Sequence, residues 1–314
     1  MVLLLLYFVW ALAANIQKEV LKRYLSNEWS LNLIDENITT DGFPFKFGFK
    51  VSNFQSPLNN TPLTLKFSEL EVVRLIYNFS DFILFVETPM ITHLDYPKFK
   101  SSSDKLKASI SDRPFSGRFK LITEQEDWQV ADDRNLKRFG AKKVIFALKD
   151  TDEMNLDFYF QANELNFSFL DKYQGKDPES QNKLILKGTI LNSFINNRGA
   201  YNQAIKLETI MLEKLEINTG FFKLSCDDVV AISLSEFTTE GDLDCLLKLS
   251  SKDISKIKTD ISSVQSIIDF VKLLLIINNP TMTAEPKAIP INLSLNKGVF
   301  FINAIPIYQF PKQY

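Results

Sequence analysis

The residues that could carry acid–base or nucleophilic chemistry are few and scattered along this chain. His93 is the single histidine, so a Ser-His-Asp triad would have to use it, and no GxSxG nucleophile elbow occurs. Adjacent or nearly adjacent carboxylates occur at Asp132 with Asp133, Asp227 with Asp228, and Asp242 with Asp244. Such pairs can hydrolyse glycosides across a cleft, but each of these adjoins a turn, where aspartate is favoured for local hydrogen bonds. We therefore predict that the protein is not an enzyme.

Cofactor and metal motifs are missing from the sequence as well. There is no GxGxxG, GxxxxGK[ST], HExxH or CxxC pattern. Cys226 and Cys245 are the only cysteines, too few for a disulfide scaffold or a four-ligand zinc site. A hairpin turning at residues 238–241 would place Cys245 opposite Ser233 or Leu234, so two free buried thiols are favoured over a disulfide. We predict no cofactor and no metal.

Length and charge exclude one large class of partner. The 314 residues are 45% hydrophobic, enough for one large core or two modest ones. The formal net charge is −2 and no block of five like charges occurs. Nucleic acid is therefore not expected as a partner, because binding to phosphates needs a basic stripe.

The first fourteen residues, MVLLLLYFVWALAA, carry no charge. They are too few to span a bilayer, but an apolar helical pattern continues, which predicts one helix over about residues 1–25. Its first half would be the membrane anchor, formed by Leu3, Leu4, Leu5, Leu6, Tyr7, Phe8, Val9 and Trp10. A cleaved signal peptide is the alternative, since Ala11-Leu12-Ala13 has the small-x-small form of a cleavage site. A buried core helix fits less well, because the segment is so apolar.

The orientation of this anchor is ambiguous. Basic residues at Lys18, Lys22 and Arg23 follow the apolar segment, and the positive-inside rule would place the body in the cytoplasm. A start codon a few residues further upstream, supplying a basic region, would reverse that reading. We favour the second interpretation and expect the body to be exported.

Strand patterns dominate residues 26–314. FPFKFGFKVSNF places Phe43, Phe45, Phe47 and Phe49 at period two, which we call the first row. NLDFYF places Leu156, Phe158 and Phe160 on one face, which we call the second row. The expected fold is mainly β (α+β): an anchor helix, then a long, curved, mostly antiparallel sheet with one or two amphipathic helices packed on it.

Other segments are predicted with less regular structure. Residues 98–111 are polar and predict a loop or an edge, and residues 124–140 predict a charged insertion. A hinge is expected at about residues 171–182. The three-four spacing from Ile254 to Leu275 predicts an amphipathic helix, and a final hairpin is predicted to turn at Asn296–Gly298.

The opening of the chain resembles a bacterial family, the proteins grouped as "domain of unknown function 2125". These carry a G-F-P-F-basic strand soon after an N-terminal anchor, which Gly42, Phe43, Pro44, Phe45 and Lys46 match. SLSEFTTEGDLDCLLKLS and LSLNKGVFFINAIPIYQFP are similar to later segments of the family, although the closing segment lacks its extra glycines. The resemblance implies an inner-membrane-anchored envelope protein of a Gram-negative bacterium, without known activity. More loosely, an anchor before a long β-body is AsmA-like, which is an analogy of fold.

These observations lead to two functional expectations. The first is a membrane-anchored periplasmic protein that binds or passes lipid, phospholipid included, along an apolar groove lined by the two rows. The second is a non-enzymatic scaffold of an envelope complex, which receives a protein partner on an exposed helix or sheet edge. An apolar face of a sheet has to be hidden by something, and both expectations follow from that requirement.

Overall fold

A computed structural model describes the chain at residues 2–29, 38–43, 45–57, 63–75, 78–93, 99–113, 118–132, 137–151, 155–167, 182–191, 209–219, 222–233, 238–249, 269, 273 and 288–309. Within these residues the chain begins with helix α1 (Val2–Trp29) and continues as strands. It divides into two compact units, Met1–Val144 and Ile145–Tyr314. The predicted mainly β fold with an N-terminal helix is confirmed.

The strands of the first unit are β1 (Ile38–Asp41), β2 (Lys46–Pro57), β3 (Leu63–Leu75), β4 (Asn78–Glu87), β5 (Met90–His93), β6 (Phe99–Ser102), β7 (Lys105–Arg113) and β8 (Arg118–Asp132). Strand β9 (Lys137–Asp150) runs across the boundary between the units. The strands of the second unit are β10 (Leu156–Phe167), β11 (Lys183–Leu191), β12 (Thr209–Asn218), β13 (Phe222–Cys226), β14 (Val230–Ser233), β15 (Thr238–Glu240), β16 (Leu243–Leu249), β17 (Ile289–Asn296), β18 (Val299–Ile302) and β19 (Ile305–Gln309).

In the first unit, β2 to β8 form an antiparallel meander. Strand β3 pairs with both β4 and β5 in one continuous register, in which Glu69 is opposite Glu87 and Lys66 is opposite Met90. Strands β4 and β5 are therefore one long strand interrupted at Thr88. Strands β6 and β7 form a similar interrupted strand along β8.

The interruptions keep one side of this meander apolar. Asn53, Thr88 and Asp127 have positive φ values of 53°, 48° and 50°. On β2 the alternation of buried residues changes at Asn53, so that Val51 and Phe54 are both buried and belong to one cluster. The pairing of β2 with β3 keeps one register across Asn53, so the positive-φ backbone conformation, rather than an extra residue, changes the alternation of the side chains.

Two segments that were predicted to be irregular are strands. Residues 98–111 contain β6 and most of β7, and β7 pairs with both β4 and β8. Residues 124–140 contain the end of β8 and the start of β9. The prediction was wrong because charged side chains hide the strand pattern. Lys107 lies opposite Glu124, and Lys105 lies opposite Glu126, which favours the pairing of these strands.

The second unit is also antiparallel. Strand β12 pairs with β11 on one side and with both β13 and β14 on the other. Strand β13 continues to β16, β17, β18 and β19 by successive pairing. The buried cluster of this unit consists of Leu212, Leu224, Cys226, Val230, Leu243, Cys245, Leu247, Ile289, Ile291, Leu293 and Ile302.

The two cysteines form a disulfide, which corrects the prediction of free thiols. Cys226 on β13 lies directly opposite Cys245 on β16, with their Cα atoms 4.2 Å apart. The predicted register was wrong because the turn was placed at residues 238–241. Those residues instead belong to β15 and to its junction with β16, and Ser233 is opposite Thr238. The chain therefore turns before Thr238, which brings the cysteines into register.

The predicted final hairpin is confirmed. Asn296 is opposite Val299, and the turn residues Lys297 and Gly298 have φ values of 48° and 78°. Two consecutive positive φ values define the type I′ turn that suits the twist of a two-residue hairpin.

We expect Ala304→Gly to raise the free energy of unfolding of the second unit by up to about 1 kcal/mol. Asn303 and Ala304 form the turn between β18 and β19, with φ values of 50° and 61°. At position 304, glycine would adopt this conformation without the steric strain that the Cβ of alanine causes. Asn303 tolerates the conformation, and its side-chain oxygen accepts a hydrogen bond from the backbone N–H of Asn292 (2.7 Å). Urea unfolding followed by circular dichroism checks the effect. Asn303→Gly, which loses that hydrogen bond, is the control and should not stabilise; equal stabilisation by both variants would contradict the argument.

Two predicted features lie outside the described residues. The hinge at about residues 171–182 is one of them, except for Asn182 at its end. The amphipathic helix from Ile254 to Leu275 is the other, although Asp269 and Leu273 within it are helical.

Candidate functional site

Helix α1 packs against one side of the meander in the first unit. Ala14 is buried in a cluster with Phe47 and Phe49 of β2 and Val72 of β3, and Trp10 and Ala13 border that cluster. The strands contribute the residues that we call the covered face: Phe47, Phe49, Leu70, Val72, Phe82 and Leu84. The helix thus covers an apolar part of the sheet that includes three phenylalanines, Phe47, Phe49 and Phe82.

Trp10 makes the most specific contacts between the helix and the sheet. Its indole ring stacks on Phe47, with ring centroids 6.1 Å apart and planes 8° apart. It meets the edge of Phe43 at 5.7 Å, and Tyr7 meets the same phenylalanine at 5.4 Å. The indole Nε1–H donates a hydrogen bond to the backbone carbonyl of Lys46 (3.1 Å). These contacts satisfy the polar atom of a large aromatic side chain, which positions the helix along the start of β2.

The opposite side of α1 is also apolar, and it is exposed. Phe8, Leu12 and Ile16 follow one another at four-residue intervals and are 72%, 59% and 59% exposed. Val9 beside them is exposed as well. We call Phe8, Val9, Leu12 and Ile16 the outer face. Because a helix repeats every 3.6 residues, Phe8 and Leu12 point away from the sheet while Trp10 and Ala14 point toward it.

The first row is divided among three environments. Phe47 and Phe49 are buried under α1, and Phe43 lies against the helix rings. Phe45 is 75% exposed, because it belongs to a turn rather than to β2. In that turn the backbone N–H groups of Phe45 and Lys46 donate to the carbonyl of Gly42, whose φ of 104° favours glycine. The period-two pattern therefore starts at Lys46 instead of Phe43.

The second row lies in the second unit. Leu156 on β10 is buried, and Phe158 packs against the buried cluster of that unit. Phe160 is half-buried and lies opposite Leu186 of β11. The two rows that were predicted to line one groove therefore belong to different compact units.

The predicted anchor residues have different surroundings. Leu3, Leu4, Leu5 and Leu6 are helical, and their side chains lie outside the described residues. Phe8 and Val9 are exposed on the outer face, whereas Trp10 faces the sheet and the ring of Tyr7 meets Phe43. Among the residues that the structure describes, no helix has the length and apolar character needed to cross a membrane.

The side of the meander opposite α1 carries alternating charges. Lys50 of β2 pairs with Glu69 of β3 (3.4 Å), and Lys46 pairs with Glu71 (3.3 Å). The hydrogen bond from Lys50 to Glu69, together with the negative charges of Glu69 and Glu71, raises the pKa of Lys50 above its ordinary value. A shallow depression of about 470 Å³ on this side is lined by Glu69, Glu71, Phe85, Val86, Glu87, Lys105, Leu106, Lys107, Glu124 and Glu126. Lysines neutralise several of these carboxylates, as expected of a solvated face.

Three of the candidate catalytic residues have contacts that the structure describes. His93 stacks on Phe99 with ring centroids 5.1 Å apart. Asp227 accepts a hydrogen bond from the hydroxyl of Ser225 (3.1 Å), and Asp244 accepts one from the side-chain amide of Asn292. Within the described part of the chain, no three histidine, cysteine, aspartate or glutamate residues group closely enough to hold a metal ion.

Comparison with protein-family models, curated proteins and solved structures finds no match for this chain. The resemblance carried by Gly42–Lys46 therefore stays a prediction.

The sequence patterns missed the residues that cover the sheet. Trp10, Ala13 and Ala14 recur at the three-four spacing of a helix face, a signal that was present. This spacing is hard to recognise in the sequence because the opposite face of the helix is more apolar, so the whole segment has a uniformly apolar pattern. A helix with two apolar sides is the central feature of the site.

Proposed function

We propose that this protein is a non-enzymatic, β-rich envelope protein that attaches to a membrane through the outer face of α1 and handles lipid there. The observation that carries the proposal is the exposure of Phe8, Leu12 and Ile16 on a helix whose other side is already packed. Apolar patches of this kind on the surface of a folded protein mark sites of contact with a membrane or another protein.

The free energy of burying the exposed apolar side chains favours a position of this helix at the membrane interface. Burial of a large apolar side chain contributes about 1.5–3 kcal/mol, so Phe8, Leu12 and Ile16 together would support reversible attachment. Arg23 is exposed and lies seven residues after Ile16, on the same side of the helix. A basic residue there would contact anionic head groups when the apolar residues reach the acyl chains. Such a helix lies in the plane of the interface.

The disulfide supports a location outside the cytoplasm. Disulfides form and persist in oxidising compartments such as the bacterial periplasm, and they are rare in the cytosol. Cys226 and Cys245 are both buried in the second unit, so their pairing is part of the folded core. We therefore propose the periplasmic side of the inner membrane, against the direction favoured by Lys18, Lys22 and Arg23.

We expect Leu12→Asp to weaken attachment to lipid vesicles by at least about tenfold. The substitution removes about 2 kcal/mol of apolar burial and adds a charge, and 1.4 kcal/mol corresponds to a factor of ten. Flotation of the full chain with vesicles of phosphatidylethanolamine and phosphatidylglycerol measures the bound fraction. Leu246→Asp is the matched control, because Leu246 on β16 is 55% exposed, close to the 59% of Leu12.

The outcomes of this experiment separate the two proposed functions. Loss of flotation in Leu12→Asp but not in Leu246→Asp supports attachment through the outer face. Failure of the unsubstituted chain to float with the vesicles would overturn the proposed attachment to membranes. The outer face would then fit the second proposal, a scaffold that binds an envelope protein through this apolar patch.

A further inference from the structure

A second exposed aromatic ring lies close to α1 but outside the outer face. Phe45 is 75% exposed, the highest value among the large apolar side chains of the described residues. It belongs to the turn before β2, and the membrane attachment proposed through the helix does not use it. A single exposed phenylalanine is ordinary on a protein surface, so its position has to decide whether it has a role.

The turn that carries Phe45 is held against the first part of α1. The rings of Tyr7 and Trp10 both meet Phe43 edge-on, with centroids 5.4 and 5.7 Å away. The indole Nε1–H of Trp10 also donates to the backbone carbonyl of Lys46 (3.1 Å). Residues on both sides of Phe45 are therefore attached to the helix. The exposed ring is thus presented from a fixed backbone, at the same end of α1 that carries Tyr7.

We propose that Phe45 is a second membrane-inserting residue, and that α1 is inclined within the interface so that its start and this turn lie deepest in the lipid. This inference rests on the proposed attachment through the outer face, and it adds a second element to that contact. The partner is the lipid surface itself.

The distribution of charge along α1 favours this inclination. Residues 2–17 contain no charged side chain. Glu19 is exposed and follows Leu12 by seven residues, so it lies on the same side of the helix, and Arg23 is exposed one turn later. Because charged side chains are costly to place in hydrocarbon, the later part of this side stays at the level of the head groups. The earlier part then lies lower, together with the turn.

The groups around the turn suit a lipid interface. Asp41, on the strand before the turn, pairs with Lys46 at 3.8 Å, so its charge does not stand alone beside Phe45. Tyr7 is 54% exposed, and Trp10 is half-buried. Rings that combine an apolar body with a polar atom are enriched where a membrane meets water, and phenylalanine suits the apolar layer below. The aromatic residues at this end of α1 therefore match the depth profile of a membrane surface.

Flotation of the full chain with vesicles of phosphatidylethanolamine and phosphatidylglycerol is the first test. We expect Phe45→Asp to lower the ratio of bound to free protein by about tenfold, because it removes a large buried apolar side chain from the bound state and adds a charge. Val229→Asp is the matched control, since Val229 is 61% exposed in the second unit, and it should float like the unsubstituted chain. The Phe45 ring contributes little burial to the folded protein, so unfolding does not explain a loss.

Quenching of tryptophan fluorescence measures insertion directly and keeps position 45 aromatic. Phe45→Trp and Val229→Trp would each be bound to the same vesicles containing a phosphatidylcholine brominated on its acyl chains. We expect the emission added by Phe45→Trp to be lost through quenching by the bromine atoms. The emission added by Val229→Trp should persist.

The outcomes separate this inference from the proposed function. Undiminished flotation of Phe45→Asp, or unquenched emission from position 45, would overturn the insertion of Phe45; loss of flotation in Leu12→Asp would then still support attachment through the outer face. Failure of the unsubstituted chain to float would overturn both, and Phe45 would become a candidate contact for a protein partner.

Discussion

Phe49→Ala is expected to lower the free energy of unfolding of the first unit by about 3–5 kcal/mol, whereas Phe45→Ala should change it by less than about 0.5 kcal/mol. Both phenylalanines come from the same period-two row of the sequence. Phe49 is 4% exposed, packed between β3 and α1, and its removal leaves a cavity in the covered face. Phe45 is 75% exposed in the turn before β2, so its ring contributes little burial.

Tryptophan fluorescence during urea unfolding measures this difference. The chain has three tryptophans, Trp10, Trp29 and Trp128, all within the residues of the first unit, Met1–Val144. The fluorescence transition therefore reports that unit alone. Equal shifts of the transition midpoint for the two variants would contradict the packing of α1 on β2.

Replacing both cysteines, Cys226→Ala with Cys245→Ala, is expected to lower the free energy of unfolding of the second unit by about 3 kcal/mol. The disulfide joins residues 19 apart in sequence, and a cross-link over a loop of this length restricts the unfolded chain by about that amount. Alanine is the suitable replacement because the site is buried among Leu224, Leu247 and Ile291, where a serine hydroxyl would lack a partner.

Circular dichroism during urea unfolding follows the second unit, and the tryptophan signal of the first unit is the internal control. A circular-dichroism transition that is unchanged in the double variant would contradict the disulfide as a stabilising element. Alkylation of thiols in protein taken directly from cells completes the test. If the body folds in an oxidising compartment, we expect neither cysteine to react with the alkylating reagent before reduction and both to react after it.

Local patterns predicted much of the secondary structure. The apolar run before Asn15 predicts a helix, and α1 extends from Val2 to Trp29. The alternation after Lys46 and from Leu156 predicts β2 and β10, and the turn at Lys297-Gly298 predicts the last hairpin. These features follow from neighbouring residues alone, because helix period, strand period and turn conformation are local properties of the backbone.

Prediction failed where a strand is held by partners distant in sequence. Strands β7 and β8 are rich in charge, so their patterns resemble loops. Lysines on β7 stand opposite glutamates on β8, and this pairing is visible only once the strands are aligned. The register of β13 with β16 was missed for a related reason: a shift of a few residues in the turn decides whether Cys226 meets Cys245.

By itself, the sequence determined that this protein is a β-rich chain with an apolar helix at its start, because composition and periodicity carry that information. Only the tertiary structure decided which apolar residues are available for function. Phe47 and Phe49 are buried because α1 folds back over them, and Phe8, Leu12 and Ile16 are exposed because the same helix turns its other side to solvent. A hydrophobic pattern states that a side chain avoids water, but the partner that removes it from water is set by contacts between distant segments.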